Sequence, residues 1–403
     1  MMKQVGDCRI NRILKILLLC GLSGCQPDAP PEPEGQESLA WSGKVFALLA
    51  EDLNGDGLKE LVAVDHGGNT ARLFAQSSPR EFETEADYTG VGKHPGNLMR
   101  WPKDPARLLL AAEGDGAIRS LLPDREQGFR VESNLEESSP RYVSLFHWPQ
   151  WGEGVAISPY ANDFIVLLKH YDPAQGKAEQ RVVVPLSNSR AKSVRAADRI
   201  TAADLDGDGA DELLFAFSFN KEVFQVSLTG ADSDQAPKLS LLFENPNWGA
   251  PNEVHAVDLD SDGDQDLLLP DEISPGLINV LLNDGKGKMT EGKSFEFPYP
   301  DGITEMKVGR DKDGSTYLLA VGYGAVALYQ IPQGWQDGMP IPRRHIEWPE
   351  GGLSRDMQFK DVDGDGWLDG VVGKLKGDHS VWVVYGPLWD RFQSLADQGF
   401  VLK

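Results

Sequence analysis

This chain of 403 residues contains few cysteines, histidines and basic side chains. It has three cysteines and seven histidines, and its 39 lysines and arginines are outnumbered by 62 aspartates and glutamates. The formal net charge of −23 would repel phosphate backbones, which argues against nucleic-acid binding. The sequence also lacks a Gly-x-Ser-x-Gly nucleophile motif, a His-Glu-x-x-His zinc motif and a glycine-rich phosphate loop. These absences favour a binding protein over an enzyme.

Glycine and proline, in contrast, are frequent, with 43 and 26 copies, and 40% of the residues are hydrophobic. This combination is typical of many short strands joined by tight turns rather than of long helices. All-β folds of this kind often form one unit at this length.

The N-terminal residues 1–24 resemble a bacterial lipoprotein signal peptide. Arg9, Arg12 and Lys15 are followed by an apolar run over residues 16–22 and by Leu-Ser-Gly before Cys25. The run is far shorter than the roughly 20 residues that span a bilayer, which argues against a transmembrane helix. We therefore predict lipidation at Cys25 and a location in the cell envelope.

Two further predictions follow from this resemblance. Cleavage before Cys25 would remove Cys8 and Cys20, so the mature protein would contain neither a disulfide nor a catalytic thiol. Gln26, rather than an aspartate, follows the lipidated cysteine, which in the enteric sorting pattern indicates the outer membrane. The Pro- and Glu-rich residues that follow cannot pack a core, so we interpret residues 25–43 as a semi-rigid tether.

An acidic motif recurs four times, each time between two apolar segments that alternate like strands. Its copies begin at residues 52, 204, 258 and 361, at spacings close to multiples of about 50 residues. Degenerate copies begin near residues 98, 143 and 306, where this period places them. Since a unit of 40 to 50 residues with four strands is typical of a propeller blade, the sequence predicts an all-β, seven-bladed β-propeller over residues 44–403.

The acidic loops and their flanks resemble the FG-GAP/VCBS repeat, the calcium-loop blade of integrin-α-like propellers. Residues 277–289 (Leu-Ile-Asn-Val-Leu-Leu-Asn-Asp-Gly-Lys-Gly-Lys-Met) and 294–297 (Ser-Phe-Glu-Phe) are similar to the third and fourth strands of a VCBS unit. The resemblance implies a propeller fold and bound calcium, but no particular activity.

Calcium prefers six to eight hard oxygen ligands, which carboxylates at alternate positions of a tight loop supply. Positions 1, 3, 5 and 9 of the four loops predict about four calcium sites, and position 6 is a glycine that permits the sharp turn. The predicted ligands are Asp52, Asn54, Asp56 and Glu60; Asp204, Asp206, Asp208 and Glu212; Asp258, Asp260, Asp262 and Asp266; and Asp361, Asp363, Asp365 and Asp369.

An EF-hand and a complete calcium site in the sixth unit are each excluded by the residue at one position of the motif. An EF-hand needs a bidentate glutamate at position 12, where these loops carry apolar strand residues such as Phe215 and Leu269. The sixth unit keeps Asp311 and Asp313 but has Leu319 at position 9, so no complete site is expected there.

Three functions are compatible with the sequence: a binding scaffold, a carbohydrate-binding protein or polysaccharide lyase, and a quinone-dependent dehydrogenase. The last is disfavoured because its Trp-motif blades are absent. The partner is expected to be a protein or a glycan, and this chain is expected to be a monomer.

The ligand is expected on the face opposite the calcium loops. The loops that lead into the first strands and the loops that join second to third strands lie there, and they contain Arg199, Glu253, Arg355, Asp356, His66, Tyr160, Lys221 and His379. Arg199 and Arg355 suggest an anionic group on that ligand.

Overall fold

The computed structural model describes residues 35–84, 87–124, 128–160, 163–186, 199–218, 221–227, 236–273, 276–298, 302–323, 325–347, 356–375 and 378–397. Cys25, the preceding signal segment and Arg355 lie outside the described residues. No helix within the described part of the chain is long and apolar enough to cross a membrane.

The described residues form thirty short strands, one α-helix and a single turn of 3-10 helix at Glu113–Asp115. The first fifteen strands are β1 (Gln36–Leu39), β2 (Val45–Glu51), β3 (Glu60–Asp65), β4 (Thr70–Ser78), β5 (Glu81–Thr84), β6 (Tyr88–Thr89), β7 (Pro95–Arg100), β8 (Leu108–Ala112), β9 (Ala117–Asp124), β10 (Gly128–Glu136), β11 (Pro140–Trp148), β12 (Gly152–Pro159), β13 (Phe164–Lys169), β14 (Gln180–Pro185) and β15 (Thr201–Ala203). The others are β16 (Glu212–Phe217), β17 (Glu222–Ser227), β18 (Lys238–Glu244), β19 (His255–Val257), β20 (Asp266–Pro270), β21 (Leu277–Asn283), β22 (Met289–Glu291), β23 (Phe295–Glu296), β24 (Ile303–Arg310), β25 (Thr316–Gly322), β26 (Ala325–Ile331), β27 (Arg343–Glu347), β28 (Met357–Lys360), β29 (Asp369–Gly373) and β30 (Val381–Val384), followed by helix α1 (Leu388–Asp397).

The strands form seven antiparallel sheets, which confirms the predicted seven-bladed propeller. Blades 1 to 6 have the orders β2-β3-β4-β5, β7-β8-β9-β10, β11-β12-β13-β14, β15-β16-β17-β18, β19-β20-β21-β22 and β24-β25-β26-β27. The short strands β6 and β23 add to blades 1 and 5. The first strands of consecutive blades contact one another, and β28 of blade 7 contacts β2 of blade 1, which completes a ring around a central channel.

The ring closes on a strand that the sequence analysis had assigned to the tether. Blade 7 has the order β28-β29-β30-β1, so that its outermost strand comes from the N-terminal side of blade 1. Gln36 pairs with Val384 and Leu39 with Val381. The predicted boundary at residue 44 is therefore wrong, because a strand with a partner across the ring belongs to the propeller. Pairing across the ends of the chain ties the first blade to the last.

The core consists of seven apolar clusters, one at each interface between neighbouring blades. Successive residues of a strand point to opposite faces of its sheet and therefore enter different clusters. Leu213 packs between blades 3 and 4, whereas Leu214 packs between blades 4 and 5. Both faces of each blade are covered in this way, which explains why the second strands are continuously apolar.

Candidate functional site

Each predicted calcium loop joins the first and second strands of its blade, so that all four lie on one face of the propeller. In the blade-4 loop (residues 204–212), the Asp204 carboxylate accepts hydrogen bonds from the N–H groups of Gly207 at 2.8 Å and Gly209 at 2.9 Å. Glu212 at position 9 accepts one from Leu205 at 3.0 Å. These bonds fold the loop tightly around its own carboxylates.

The blade-1 loop (52–60), the blade-5 loop (258–266) and the blade-7 loop (361–369) share much of this geometry. The position-6 residues Gly57, Gly209, Gly263 and Gly366 have φ angles between +87° and +100°, as the sharp turn requires. The position-9 carboxylates Glu60, Glu212, Asp266 and Asp369 accept the position-2 N–H in every loop. Position 9 is therefore a structural brace of the loop in addition to a predicted ligand.

The structure gathers carboxylates closely in three of the four loops. Ligand oxygens lie within 4.8 Å of one another in the sets Asp204, Asp206 and Glu212; Asp258, Asp260 and Asp262; and Asp361, Asp363 and Asp365. Burial, followed by the neighbouring carboxylates, raises the pKa of Glu212 to about 7. Converging, partly buried oxygens of this kind are a suitable environment for a hard divalent cation.

The blade-5 loop fits a metal ion best. Oδ1 of Asp258 is buried and has no hydrogen-bond partner among the described residues. Ser261 of the same loop adopts a left-handed φ of +69°, which is uncommon for a residue other than glycine. A buried carboxylate oxygen without a donor is costly, and a cation would satisfy it.

The blade-1 loop differs because Asn54 occupies position 3. The Asn54 side-chain amide donates to Asp56 Oδ2 at 3.0 Å and to Glu60 Oε1 at 2.9 Å. An amide N–H₂ thus bridges two carboxylates of this loop. With the opposite orientation of the amide, its oxygen rather than its N–H₂ group would face these carboxylates.

Blade 6 has only part of this arrangement. Asp311 Oδ1 accepts the N–H of Leu368 from blade 7 at 3.1 Å, and Asp313 accepts that of Ser315 at 2.8 Å. Asp311 therefore connects two blades through a hydrogen bond. That the sixth unit has no complete calcium site stays a prediction from Leu319.

A network of buried charges connects the first strands and their lead-in residues at the opposite end of the channel. Arg199 from blade 4 forms ion pairs with Glu253 of blade 5, at 2.9 Å, and with Glu305 of blade 6. Lys307 reaches Glu305 at 2.5 Å and Asp356 of blade 7 at 3.9 Å. The side chain of Arg199 is only 14% exposed. Two glutamates from neighbouring blades thus neutralise the Arg199 charge, a pairing that the sequence did not indicate.

The two carboxyl groups Glu253 and Asp356 respond differently to this environment. Burial is the largest single effect and favours the neutral form of Glu253, but Arg199, His255 and Lys307 together outweigh it and lower the pKa of Glu253 to about 2. Burial dominates at Asp356 and raises its pKa to about 7, although Lys307 acts in the other direction. Glu253, Glu305 and Asp356 thus belong to a buried charge network that links blades 4, 5, 6 and 7.

The other residues predicted for this face lie in its outer loops. His66 stacks on Phe46 with ring centroids 4.3 Å apart and meets His94 edge-on at 4.4 Å. Lys221 donates to Pro246 O at 2.8 Å, and Nδ1 of His379 lies 3.1 Å from Oγ of Ser38. These side chains thus contact their own or neighbouring blades.

Large apolar side chains are nevertheless exposed on this face. Tyr160, Ile273 and Tyr323 are 37%, 54% and 39% exposed. They belong to the loops between the second and third strands of blades 3, 5 and 6. We refer to these three side chains, which come from separate loops, as the apolar rim. Sequence analysis identified Tyr160 but not Ile273, whose position was not distinguishable from that of other loop residues.

A cavity of about 520 Å³ lies between blades 5 and 6, on the acidic-loop face. Asp258, Ser261, Arg310, Gln330 and Gln333 contribute to its lining. Arg310 forms no ion pair with any described residue. The lining combines amides, hydroxyls, the Arg310 guanidinium and the carboxylates of Asp258 and Asp313. Sequence reasoning missed this cavity because its residues come from distant segments.

No family model and no curated protein matches this sequence. The structure is similar to that of a streptogramin B lyase, with 14% identity, a TM-score of 0.53 and coverage of 86% of this chain and 96% of that one. It is similar to a chain of the BBS1N–ARL6DN complex, with 10% identity, a TM-score of 0.55 and coverage of 87% and 96%. It is also similar to virginiamycin B lyase from Staphylococcus aureus, with 12% identity, a TM-score of 0.55 and coverage of 86% and 98%. At these identities the similarity shows the propeller fold alone.

Proposed function

We propose that this chain is a calcium-stabilised, lipid-anchored β-propeller that binds a protein partner through the apolar rim. The observation that carries the calcium proposal is the convergence of carboxylates in the blade-4 and blade-5 loops, with the partnerless Asp258 oxygen in the latter. These loops offer only oxygen ligands, which suits calcium better than zinc or copper. FG-GAP/VCBS membership is part of the same proposal.

The charged side chains at the channel favour a binding scaffold over an enzyme. The Arg199, Lys307 and Glu305 side chains, which could act in acid–base chemistry, bind one another across blades 4 and 6. The similar structures include both lyases and a protein in complex with another protein. The fold therefore admits both functions, and the exposed side chains of the apolar rim are the surface to which we assign protein binding.

Calcium binding is tested by thermal unfolding with calcium and with a chelator. Each site should stabilise the folded state by about 1.4 kcal/mol at tenfold excess over its dissociation constant. Asp206→Asn and Asp260→Asn should each reduce the calcium-dependent rise in melting temperature. Asp313→Asn, in the incomplete loop of blade 6, is the matched control and should leave it unchanged. Identical melting curves with calcium and with chelator would refute the calcium proposal.

Partner binding is tested by capture from native membranes with the lipidated protein. Tyr160→Ala combined with Tyr323→Ala should lose a protein that the wild type retains. Leu241→Ala, an exposed residue of the outer strand β18, serves as the control. Equal capture by all three proteins would show that the apolar rim is not the binding surface.

The lipid anchor rests on the sequence before residue 26. Cys25→Ser should move the protein from the membrane fraction to the soluble fraction. If the variant still fractionates with membranes, the proposed lipidation is wrong.

The cavity beside the blade-5 loop favours glycan binding as a second candidate function. Its arginine and amides suit a carboxylated sugar, and it lies on the acidic-loop face rather than on the opposite face expected from sequence. Calorimetric titration with uronic-acid oligosaccharides should show binding that Arg310→Ala abolishes and Arg72→Ala preserves. No heat of binding with the wild type would exclude this candidate.

A further inference from the structure

The blade-7 loop has a cationic side chain next to its carboxylates. Arg80, from the hairpin that joins β4 and β5 of blade 1, places Nε 2.5 Å from Asp363 Oδ2 and a terminal nitrogen 3.4 Å from Asp365. The side chain of Asp363 is only 2% exposed. The Arg80 guanidinium also lies over the ring of Tyr385, 4.6 Å from its centroid.

The backbone of Arg80 shows that this placement is unusual. Its φ is +66°, in the left-handed region that residues other than glycine rarely adopt. Its N–H donates to Gln76 Oε1 at 2.7 Å. The Gln76 amide in turn donates to Lys59 O at 3.0 Å and to Val362 O, in the blade-7 loop, at 3.1 Å. Gln76 therefore fixes the hairpin against the neighbouring acidic loop.

Blade 5 repeats this arrangement with a glycine in place of the arginine. Gly287, with a φ of +75°, donates its N–H to Asn283 Oδ1 at 3.1 Å. The Asn283 amide donates to Leu205 O, in the blade-4 loop, at 2.7 Å and to Gln265 O at 3.2 Å. A Cβ on Gly287 would lie 3.7 Å from Asp206, which corresponds in the loop motif to Asp363. Gly287 and Arg80 thus occupy equivalent positions beside equivalent loops.

We propose that Arg80 takes the place of a metal ion in the blade-7 loop. Its guanidinium is the cation of this loop, which lies where the ring closes. The blade-4 loop, in contrast, is open to calcium. A guanidinium and calcium compete for the same Asp363 and Asp365 oxygens. Blade 7 is the blade that the N-terminal strand completes, and Arg80 adds an ion pair to the other contacts between blades 7 and 1. The interface between blades 7 and 1 is then stabilised by an ion pair that does not require calcium. This inference rests on the proposed calcium binding by the remaining loops.

The experiment exchanges the two equivalent residues and counts bound calcium by equilibrium dialysis. Arg80→Gly should bind one more calcium ion than the wild type, Gly287→Arg one fewer, and the double variant the same number. Glycine suits the left-handed backbone at position 80, and an arginine at position 287 would adopt the conformation that Arg80 already has. Arg72→Gly, in the adjacent strand β4, controls for loss of an arginine that pairs elsewhere, with Asp87 at 2.8 Å.

Terbium luminescence gives a second readout that is specific to the blade-7 loop. Trp367 occupies position 7 of this loop and would sensitise an ion bound there. Arg80→Gly should gain tryptophan-sensitised terbium emission that Arg80→Gly with Trp367→Phe loses.

The outcomes separate this inference from the proposed function. If Arg80→Gly binds no additional calcium and gains no emission, the inference is wrong even when the wild type binds calcium. If the wild type binds none but Arg80→Gly binds one ion, Arg80 does exclude a cation from the blade-7 loop, but the proposed function is wrong and so is calcium binding by the blade-4 loop. If neither protein binds calcium, both are wrong.

Discussion

The backbone N–H of Leu48 donates a hydrogen bond of 2.8 Å to Oδ2 of Asp356, although 308 positions separate the two residues. Gln358 adds a bond of 2.8 Å from its side-chain amide to Leu48 O. Leu48 lies in the first strand of blade 1, and both partners lie in blade 7. The ring is therefore closed at its inner edge by side chains as well as at its outer edge by strand pairing.

Asp356 should make stability depend on pH. Its pKa in the folded state is raised to about 7 from 3.8, so between these values the folded state holds a proton that the unfolded chain has lost. The free energy of unfolding should therefore fall as the pH rises through this window. Asp356→Asn keeps an acceptor for Leu48 but cannot ionise. It should be more stable than the wild type at pH 8, by about 1 kcal/mol or more.

Urea unfolding at pH 5, 6, 7 and 8 in chelator measures this difference without contributions from bound calcium. Parallel pH profiles for the two proteins would contradict the assignment to Asp356.

Arg199 should be essential for stability rather than for ligand binding. Arg199→Met leaves the buried carboxylate of Glu253 with only His255 as a partner and that of Glu305 with only Lys307, which should cost about 3–5 kcal/mol. Adding Glu305→Gln should recover part of this loss, because one of the two buried negative charges is removed. The calcium-dependent rise in melting temperature should persist in both variants. Calorimetry showing that Arg199→Met unfolds like the wild type would refute the buried charge network.

The closing strand β1 should contribute to the stability of the whole ring. Leu39 is 8% exposed and packs between blades 7 and 1, so Leu39→Ala should destabilise the protein by about 2 kcal/mol. Val183→Ala truncates an outer-strand residue that is 44% exposed and should change stability by less than about 0.5 kcal/mol. Equal effects in chemical denaturation would mean that residues 36–39 do not close the propeller.

Backbone strain in the acidic loops is separable from side-chain crowding. Gly209 has a φ of +87°, and a Cβ added there would meet no atom within 4 Å. Gly209→Ala should therefore cost about 1–2 kcal/mol through the left-handed backbone alone. Gly67 is equally open but lacks a positive φ, so Gly67→Ala should be neutral or slightly stabilising. A neutral Gly209→Ala in thermal unfolding would mean that the loop does not need its sharp turn.

Much of the fold was predictable because local signals repeat along the chain. The acidic motifs marked the turns between first and second strands, and the apolar runs after them marked strands such as β16 and β20. The glycines at position 6 were assigned a left-handed conformation, and all four have it. The degenerate units were located by spacing alone, without any acidic loop in blades 2 and 3.

The closing strand and the state of each charged site could not be predicted in the same way. Gln36–Leu39 follows a Pro- and Glu-rich stretch, and nothing local indicates that its partner lies some 345 residues away in β30. Arg199 gave no sign of being paired, because its partners Glu253 and Glu305 belong to other blades. Arg80 likewise lies in an ordinary hairpin until the ring brings Asp363 to it.

The sequence by itself determined the number of blades, the position of the acidic loops and the turn at each position-6 glycine, because these depend on residues a few positions apart. The tertiary structure decided which strand closes the ring, which charges neutralise one another and which acidic loop contacts an arginine. Those outcomes depend on contacts between blades, and a propeller brings into contact residues that are remote in the chain only when its first and last blades meet.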